Sequence, residues 1–290
     1  MFAVTGATGK VGGAVARALL AAGQSVRVVV RDRGKAEQWS RLGCEIAVAD
    51  SGNAAELTRA FAGVDGAFVM LPPVFDPSPG FPEARALIAA LRTALAQARP
   101  SKIVVLSTIG AEASQPNLLN QLGRLEDSFA SLPMPVTFLR AAWFMENAAW
   151  DIEPARTTGV IPSYLQPLDK PFPMIATEDV GRTAAEILLE NWSGHRVVEL
   201  EGPRRVSPND LAEAFANALG WPVKPEIVAR GSWEGLFRAQ GMQHPLTRMQ
   251  MLDGFNAGWI DFAEQGAGSR KGSTTINQAI AALVDGERKS

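Results

Sequence analysis

The chain of 290 residues contains one cysteine, one tyrosine and two histidines. The single cysteine, Cys44, excludes an intramolecular disulfide. No histidine lies near it in the sequence, so we predict a packed thiol rather than a nucleophile. His195 and His244 stand alone, and two isolated imidazoles are too few for the common metal sites, so we predict no metal.

The sequence also lacks a strong charge of either sign and a long apolar run. Its formal net charge is -2, so no basic field favours binding to nucleic acid or to an anionic membrane. The apolar runs are shorter than the ~20 residues of a membrane span. Because Met1 leads directly into an apolar segment, we expect no signal peptide and a cytoplasmic protein.

A glycine-rich turn opens the chain between a predicted strand, 2–5, and a predicted helix, 11–22, with apolar residues every three or four positions. In dinucleotide-binding folds, the first glycine permits a sharp reversal, the second lets backbone N–H groups approach a pyrophosphate, and the third allows close packing of helix on strand. The helix amino end adds about half a positive charge. The predicted cofactor contacts here are Gly6, Thr8, Gly9, Lys10, Val11 and Gly12. The alternative is a turn that serves packing alone.

Six apolar segments alternate with helical ones up to about residue 150. They span residues 2–5, 25–30, 45–49, 66–71, 102–107 and 136–140. Strands that are apolar on both faces and alternate with helices are typical of a parallel sheet covered on both sides. We therefore predict an α/β fold with a doubly wound parallel Rossmann sheet.

The pattern changes after Trp150, where five prolines interrupt the segment to Met174 and predict a loop with at most short strands. Thr177 is predicted to be the N-cap of a helix, and residues 197–200 a strand that rejoins the sheet. We predict a Rossmann domain from residues 1–150 and 176–202. Residues 151–175 and 203–290 are predicted to form a smaller C-terminal substrate lobe, ending in a frayed tail at 287–290.

Basic residues follow the second predicted strand and bear on the choice of cofactor. Arg31 stands about where NAD-binding proteins carry an acidic residue for the ribose hydroxyls, and a cation there favours the 2′-phosphate of NADP. Arg33 and Lys35 add charge. We therefore predict NADP(H) as the cofactor, with Arg31 and Lys35 as contacts. In the alternative, Asp32 binds the ribose and the basic residues form a solvated turn.

The ends of the following strands supply further predicted cofactor contacts, to the adenine, the pyrophosphate, the nicotinamide ribose and the nicotinamide. They are Asp50, Ser51, Met70, Leu71, Pro72 and Ser107. For each residue the alternative is local: a turn, packing, or a hydrogen bond to backbone.

A proton donor for the reduction of an ordinary ketone is missing. Short-chain dehydrogenases use a tyrosine with a lysine four residues later, and here Tyr164 is followed by Leu168 at that spacing. The catalytic residue therefore stays unassigned.

Motifs across nearly the whole chain resemble those of the NmrA-like group of atypical short-chain dehydrogenase/reductases. They lie at residues 6–12, 31, 106–111, 138–140, 144–147, 175–181, 200–203 and 254–258. The resemblance implies an NADP-preferring Rossmann domain and a smaller lobe with the substrate cleft between them. Several of these reductases carry a lysine where Leu122 stands here, which argues against a lysine-dependent mechanism. The alternative is that Arg124, further along the same predicted helix, substitutes for the lysine.

Two hypotheses of function follow. In the first, the chain is a reductase that passes hydride from NADPH to a planar, electron-poor small molecule such as a quinone or a dye, which needs alignment and exclusion of water rather than an acid. Phe144, Asn147 and Trp150 are then predicted substrate contacts, unless these aromatics only join the two lobes. In the second, it is an NADP(H)-binding redox sensor with a regulatory protein partner. A homodimer stays open in both.

Overall fold

The computed structural model of the protein describes residues 1–287. Residues 288–290 of the predicted tail lie outside the described residues. Eight of the strands in this range form the central sheet, and the other four form two small two-stranded sheets. The strands are β1 (Phe2–Thr5), β2 (Val26–Val30), β3 (Glu45–Val48), β4 (Gly66–Val69), β5 (Ile103–Thr108), β6 (Val136–Ala141), β7 (Trp143–Phe144), β8 (Val160–Ser163), β9 (Met174–Ile175), β10 (His195–Glu201), β11 (Lys224–Ile227) and β12 (Arg270–Lys271). The helices are α1 (Lys10–Ala21), α2 (Glu37–Arg41), α3 (Ala54–Phe61), α4 (Pro82–Ala98), α5 (Asn120–Phe129), α6 (Ile152–Thr158), α7 (Thr177–Leu189), α8 (Pro208–Leu219), α9 (Trp233–Ala239), α10 (Leu246–Ala257) and α11 (Ile276–Glu287).

The strand order of the central sheet is β12-β10-β6-β5-β4-β1-β2-β3, and every neighbouring pair is parallel. The chain winds outward from β1 to β3 and then returns to β4 on the other side of β1. This confirms the predicted doubly wound Rossmann sheet. In such sheets ligands bind beyond the carboxyl ends of the strands where the order reverses, which here is between β1 and β4.

Both faces of the central strands β1, β4 and β5 are buried, which explains why these strands are almost entirely apolar. Adjacent residues of one strand point to opposite faces, so Val4 and Phe68 belong to one core cluster while Ala3 and Ala67 belong to the other. On the first face α1 packs against α7. A Cβ on Gly181 of α7 would lie 2.8 Å from the backbone of Ala14, so only glycine permits this close crossing.

The proline-rich segment is more ordered than predicted, because helix α6 occupies residues 152–158 where we expected loop. Pro154 lies in the first turn of this helix, where its missing N–H would have no intrahelical partner in any case. The short strand β8 then pairs in parallel with β11, outside the central sheet. The prediction of a loop was therefore wrong for residues 152–158.

The helix predicted to start with a Thr177 cap is present, but the cap is different. Ala176 is the capping position, and the Thr177 side chain caps nothing. Instead the carboxylate of Glu146 accepts hydrogen bonds from the Thr177 N–H at 2.9 Å and from its hydroxyl at 2.8 Å. A carboxylate from another segment thus satisfies the positive amino end of α7.

The strand predicted to rejoin the sheet does so as β10, beside β6. The edge strand β12, from the C-terminal segment, also joins it. The division into a Rossmann domain and a substrate lobe remains a prediction. No helix among the described residues combines the length and the hydropathy that a bilayer span requires.

Candidate functional site

The glycine-rich turn has the geometry that the sequence predicts. Gly6 has a φ of +67°, and the Gly9 N–H donates to its carbonyl oxygen at 2.9 Å, so the chain reverses directly after β1. A Cβ on Gly12 would lie 2.6 Å from the Thr5 carbonyl oxygen and closer still to that of Gly6. A Cβ on Gly9 would meet only the Gly6 oxygen, at 3.4 Å. Gly12 therefore faces the strand, while Gly9 faces open space.

Met70 closes the turn from the side of β4. Its sulfur lies 2.5 Å from the position of a Cβ on Gly6, and its N–H donates to the Thr5 hydroxyl at 3.1 Å. The same hydroxyl donates to the Phe68 carbonyl at 3.3 Å. These contacts join the ends of β1 and β4 at the point where the strand order reverses. Leu71 is buried and Pro72 half-buried just beyond.

Exposed cations surround the amino end of α1. Thr8, Gly9 and Lys10 are exposed, whereas the predicted contacts Val11 and Gly12 are buried in the helix packing. Arg31, Arg33 and Lys35 follow β2 on the same edge of the sheet and are exposed as well. The side chains of these four cations, Lys10, Arg31, Arg33 and Lys35, make no ion pair or hydrogen bond within residues 1–287.

The Asp32 carboxylate beside these cations is already used by the backbone. Its Oδ1 accepts the Gly34 N–H at 2.9 Å and caps the short 3-10 helix Arg33–Ala36. If Asp32 bound the ribose, as in the alternative, its carboxylate would have to accept hydrogen bonds from the ribose and from the Gly34 N–H together. The geometry instead leaves Arg31 and Lys35 available to an anionic group.

A closed turn follows β3. The Asp50 carboxylate accepts the Gly52 N–H at 2.8 Å, and the Asp50 N–H donates to Glu56 at 2.8 Å. A hydrogen-bonded turn at the strand end was the alternative to a cofactor contact for Asp50 and Ser51, and such a turn is present. Their contact with adenine stays a prediction.

The Ser107 hydroxyl lies in a buried ionic network with Glu126 and Arg140. It is 3% exposed and donates its hydroxyl proton to Glu126. Arg140 binds the same carboxylate through two donors, at 3.0 and 2.7 Å, and contacts Glu112 at 2.8 Å. Burial lowers the pKa of the Arg140 guanidinium, but Glu126 and Glu112 outweigh that effect and the pKa is raised. Contact between Ser107 and nicotinamide stays a prediction.

The three predicted substrate contacts do not form one buried wall. Phe144 is half-buried in β7, Asn147 is exposed, and Trp150 is 88% exposed. The neighbouring Trp143 instead packs edge-on against Phe255 of α10, with ring centroids 5.3 Å apart. Trp143 therefore joins β7 to α10 by packing. The substrate roles of Phe144, Asn147 and Trp150 stay predictions.

Asp151, Tyr164 and Arg248 lie close enough to interact, and the sequence did not predict this polar cluster. Burial raises the pKa of Asp151 to about 7. Tyr164, the single tyrosine, stacks on Phe237 with centroids 5.2 Å apart. The Arg248 guanidinium lies 4.5 Å from the centroid of the same ring. The lone tyrosine was a weak signal for this cluster, and nothing near Arg248 in the sequence distinguishes it.

Cys44 is the packed thiol that the sequence predicts. It is 8% exposed, and burial raises its pKa, which makes the reactive thiolate scarcer. Within residues 1–287, no group of three or more His, Cys, Asp or Glu side chains could hold a metal ion.

Comparison with known proteins adds three relatives. The NAD(P)H azoreductase of Xenophilus azovorans is 28% identical over 248 residues, which covers 85% of this chain and 83% of the azoreductase. The NADPH-dependent quinone oxidoreductase of Escherichia coli, solved with NADPH, superposes with a TM-score of 0.81 at 23% identity, covering 98% of this chain and 99% of that one. The triphenylmethane reductase of Citrobacter sp., solved with NADP(H), gives a TM-score of 0.78 at 23% identity, covering 97% and 99%.

These two structures share the fold of this chain. The profile of the NmrA-like family matches residues 1–261, which is most of the chain and includes the glycine turn and the strand ends described above. The resemblance noted in the sequence is thus confirmed, and the chain belongs to the NmrA-like family.

Proposed function

We propose that the chain is an NADPH-dependent reductase that transfers hydride to a planar, electron-poor acceptor such as a quinone or a dye. The observation that carries the proposal is the open amino end of α1 with the unpaired cations Lys10, Arg31, Arg33 and Lys35 on the same sheet edge. A helix amino end binds a pyrophosphate, and nearby cations bind a further phosphate. NADPH carries both groups.

The residues fit this cofactor. Only the turn oxygen of Gly6 approaches the Cβ position of Gly9, so the outer side of the turn has room for a pyrophosphate. Lys10 stands at the first position of α1, where its charge adds to that of the helix end. Arg31 directly follows β2, one strand away, at the place where the 2′-phosphate of the adenosine ribose would lie.

What the site lacks and the names of similar proteins both support this acceptor class. Their names describe an azoreductase, a quinone oxidoreductase and a triphenylmethane reductase, all acting on conjugated acceptors. NADPH would supply the hydride. A dye cation becomes neutral on taking it, and a quinone becomes a phenolate that solvent can protonate. The chain would need to hold the two rings together and exclude water, without the missing Tyr-Lys pair.

Removing Arg31 tests the cofactor assignment. We expect Arg31→Ala to raise the Kd for NADPH by about ten- to hundredfold, because a charge-assisted hydrogen bond to the 2′-phosphate is lost. The Kd for NADH, which has no such phosphate, should change little. Calorimetric titration with both coenzymes measures the two values.

Arg59→Ala is the matched control for Arg31→Ala. Arg59 is also exposed, but it lies in the last turn of α3, at the edge of the sheet where the strands begin. This variant should leave both affinities unchanged. An equal loss of NADPH and NADH affinity in Arg31→Ala would contradict the 2′-phosphate role.

Turnover tests the reductase assignment itself. We expect NADPH absorbance to fall when the purified protein meets a quinone, an azo dye or a triphenylmethane dye, since these acceptors need no protein acid. One quinone or triphenylmethane dye should be reduced for each NADPH oxidised, whereas cleavage of an azo bond to two amines should take two NADPH and protons from solvent. Tight NADPH binding with no oxidation by any of these acceptors would overturn the reductase and favour the NADP(H) sensor.

A further inference from the structure

Arg248 is a half-buried cation without an anionic partner. Other arginines of low exposure pair with carboxylates: Arg140, whose side chain is 13% exposed, pairs with Glu126, and Arg205, at 22%, pairs with Asp261. Arg248 has no ion pair within residues 1–287. Burial lowers the pKa of its guanidinium, and no carboxylate raises it. A desolvated charge of this kind is costly unless a ligand compensates it.

Aromatic and sulfur contacts hold the guanidinium in place. It lies 4.5 Å from the Phe237 ring centroid, and its Nη1 lies 3.7 Å from the Met242 sulfur. A cation over a ring is attracted by the negative face of the ring but is not neutralised by it. Tyr164 stacks on the same Phe237 ring, at 5.2 Å. Burial raises the pKa of the Tyr164 phenol, whereas the charge of Arg248 opposes that shift, so the two groups interact.

This cluster lies at the carboxyl edge of the sheet. The carbonyl oxygen of Thr247 accepts the Leu118 N–H at 3.0 Å, which brings the first turn of α10 against the segment that follows β5. The preceding residues Gln243 and His244 donate their N–H groups to Asp76, both at 2.7 Å, in the segment that follows β4. The turn that carries Arg248 and the residues just before it are therefore fastened to the segments that follow β4 and β5.

Buried apolar packing continues from Arg248 along the same helix. Phe255 lies seven residues further on, which is two helical turns and the same face. Its ring meets Trp143 of β7 at 5.3 Å. This packing holds the helix face that carries Arg248 against β7.

We propose that Arg248, with Tyr164 beside it, binds an anionic substituent of the acceptor: a sulfonate, a carboxylate or a phosphate monoester. The planar guanidinium offers several donors in a fork that matches such oxygen pairs, and the phenol adds a neutral donor. That the anion is carried by a planar, electron-poor ring compound rests on the proposed function. The anion site itself rests on the unpaired, half-buried guanidinium.

Equilibrium binding of a matched pair of ring compounds tests the site. Naphthalene-2-sulfonate and its neutral sulfonamide differ in charge and little in shape. By calorimetry the wild-type protein should bind the sulfonate about ten- to hundredfold more tightly than the sulfonamide. In Arg248→Gln this ratio should fall to near unity, and in Arg248→Lys, which keeps the charge but loses the fork, it should lie between.

Arg230→Gln is the matched control. Arg230 lies in the same part of the chain, with its guanidinium 4.8 Å from the Trp233 centroid, but it is exposed and paired with Asp253 at 2.7 Å. This variant should keep the wild-type ratio. Circular dichroism melting curves establish that each variant is folded before its ratio is used.

A folded Arg248→Gln protein with the wild-type ratio would overturn the anion site. The same holds if the ratio is lost in Arg31→Ala and kept in Arg248→Gln, since the sulfonate would then occupy the proposed phosphate site. The binding test uses no NADPH oxidation. A protein that oxidises no NADPH but shows the Arg248-dependent ratio would retain the anion site and lose the reductase. A protein that reduces quinones without that ratio would retain the reductase and lose the anion site.

Discussion

Replacing Gly12 by alanine is expected to destabilise the folded chain by about 3 kcal/mol or more and to abolish NADPH binding. The new methyl group would lie 2.6 Å from the Thr5 carbonyl oxygen and closer still to that of Gly6. Both obstacles are backbone atoms, so no side chain can rotate away. Helix α1 would have to move off β1, and its amino end would move with it. Chemical denaturation gives the loss of stability, and calorimetry gives the loss of affinity.

Gly9→Ala separates the two effects of Gly12→Ala. At Gly9 the added methyl group meets only the Gly6 oxygen, at 3.4 Å, and the backbone φ is -98°, which alanine adopts freely. We expect its stability to stay within about 1 kcal/mol of the wild type. Its NADPH affinity should nevertheless fall, because the methyl group projects where the pyrophosphate would approach. Undiminished NADPH binding by Gly9→Ala would contradict the position assigned to the cofactor.

The second large effect is expected at Asp151, through pH. Burial raises the pKa of this carboxyl from an ordinary value of 3.8 to about 7. The folded chain therefore holds a proton that the unfolded chain releases between these two values. The stabilisation is fully present below the unfolded pKa and is lost as the pH rises through the folded pKa. Above about pH 7 the wild type carries a buried charge that asparagine does not have.

Asp151→Asn should therefore be more stable than the wild type at alkaline pH and not at acid pH. Between about pH 4.5 and pH 8 the difference in unfolding free energy between variant and wild type should grow by about 3 kcal/mol. Urea denaturation of both proteins at the two pH values measures it. The pH dependence of all other groups cancels in the difference. A difference that is the same at both pH values would show that Asp151 titrates normally.

Local sequence was enough to predict the sheet and the glycine-rich turn after β1. The strands are short apolar runs, the helices have regular apolar spacing, and glycines stand where a reversal and a close approach require them. These features depend on neighbours within a few residues. The parallel order then follows from the handedness of the crossovers, so the strand-end residues meet at one edge without any further information.

What local sequence could not predict depends on partners that are distant in the chain. The cap of α7 comes from Glu146, 31 residues before Thr177, and the hydroxyl of Ser107 is bound by Glu126, 19 residues away. Pro154 suggested a loop because its place in the first turn of α6 depends on where that helix begins. Arg248 and Tyr164 both reach the Phe237 ring only once three segments are folded together.

We expect an NADP-type dinucleotide to bind at the amino end of α1 with its 2′-phosphate on Arg31. Calorimetric titration of the wild-type chain with NADPH and with NADH tests this most directly. One molecule should bind per chain, with NADPH at least about tenfold tighter than NADH. No heat of binding with either coenzyme, or equal affinity for both, would contradict it.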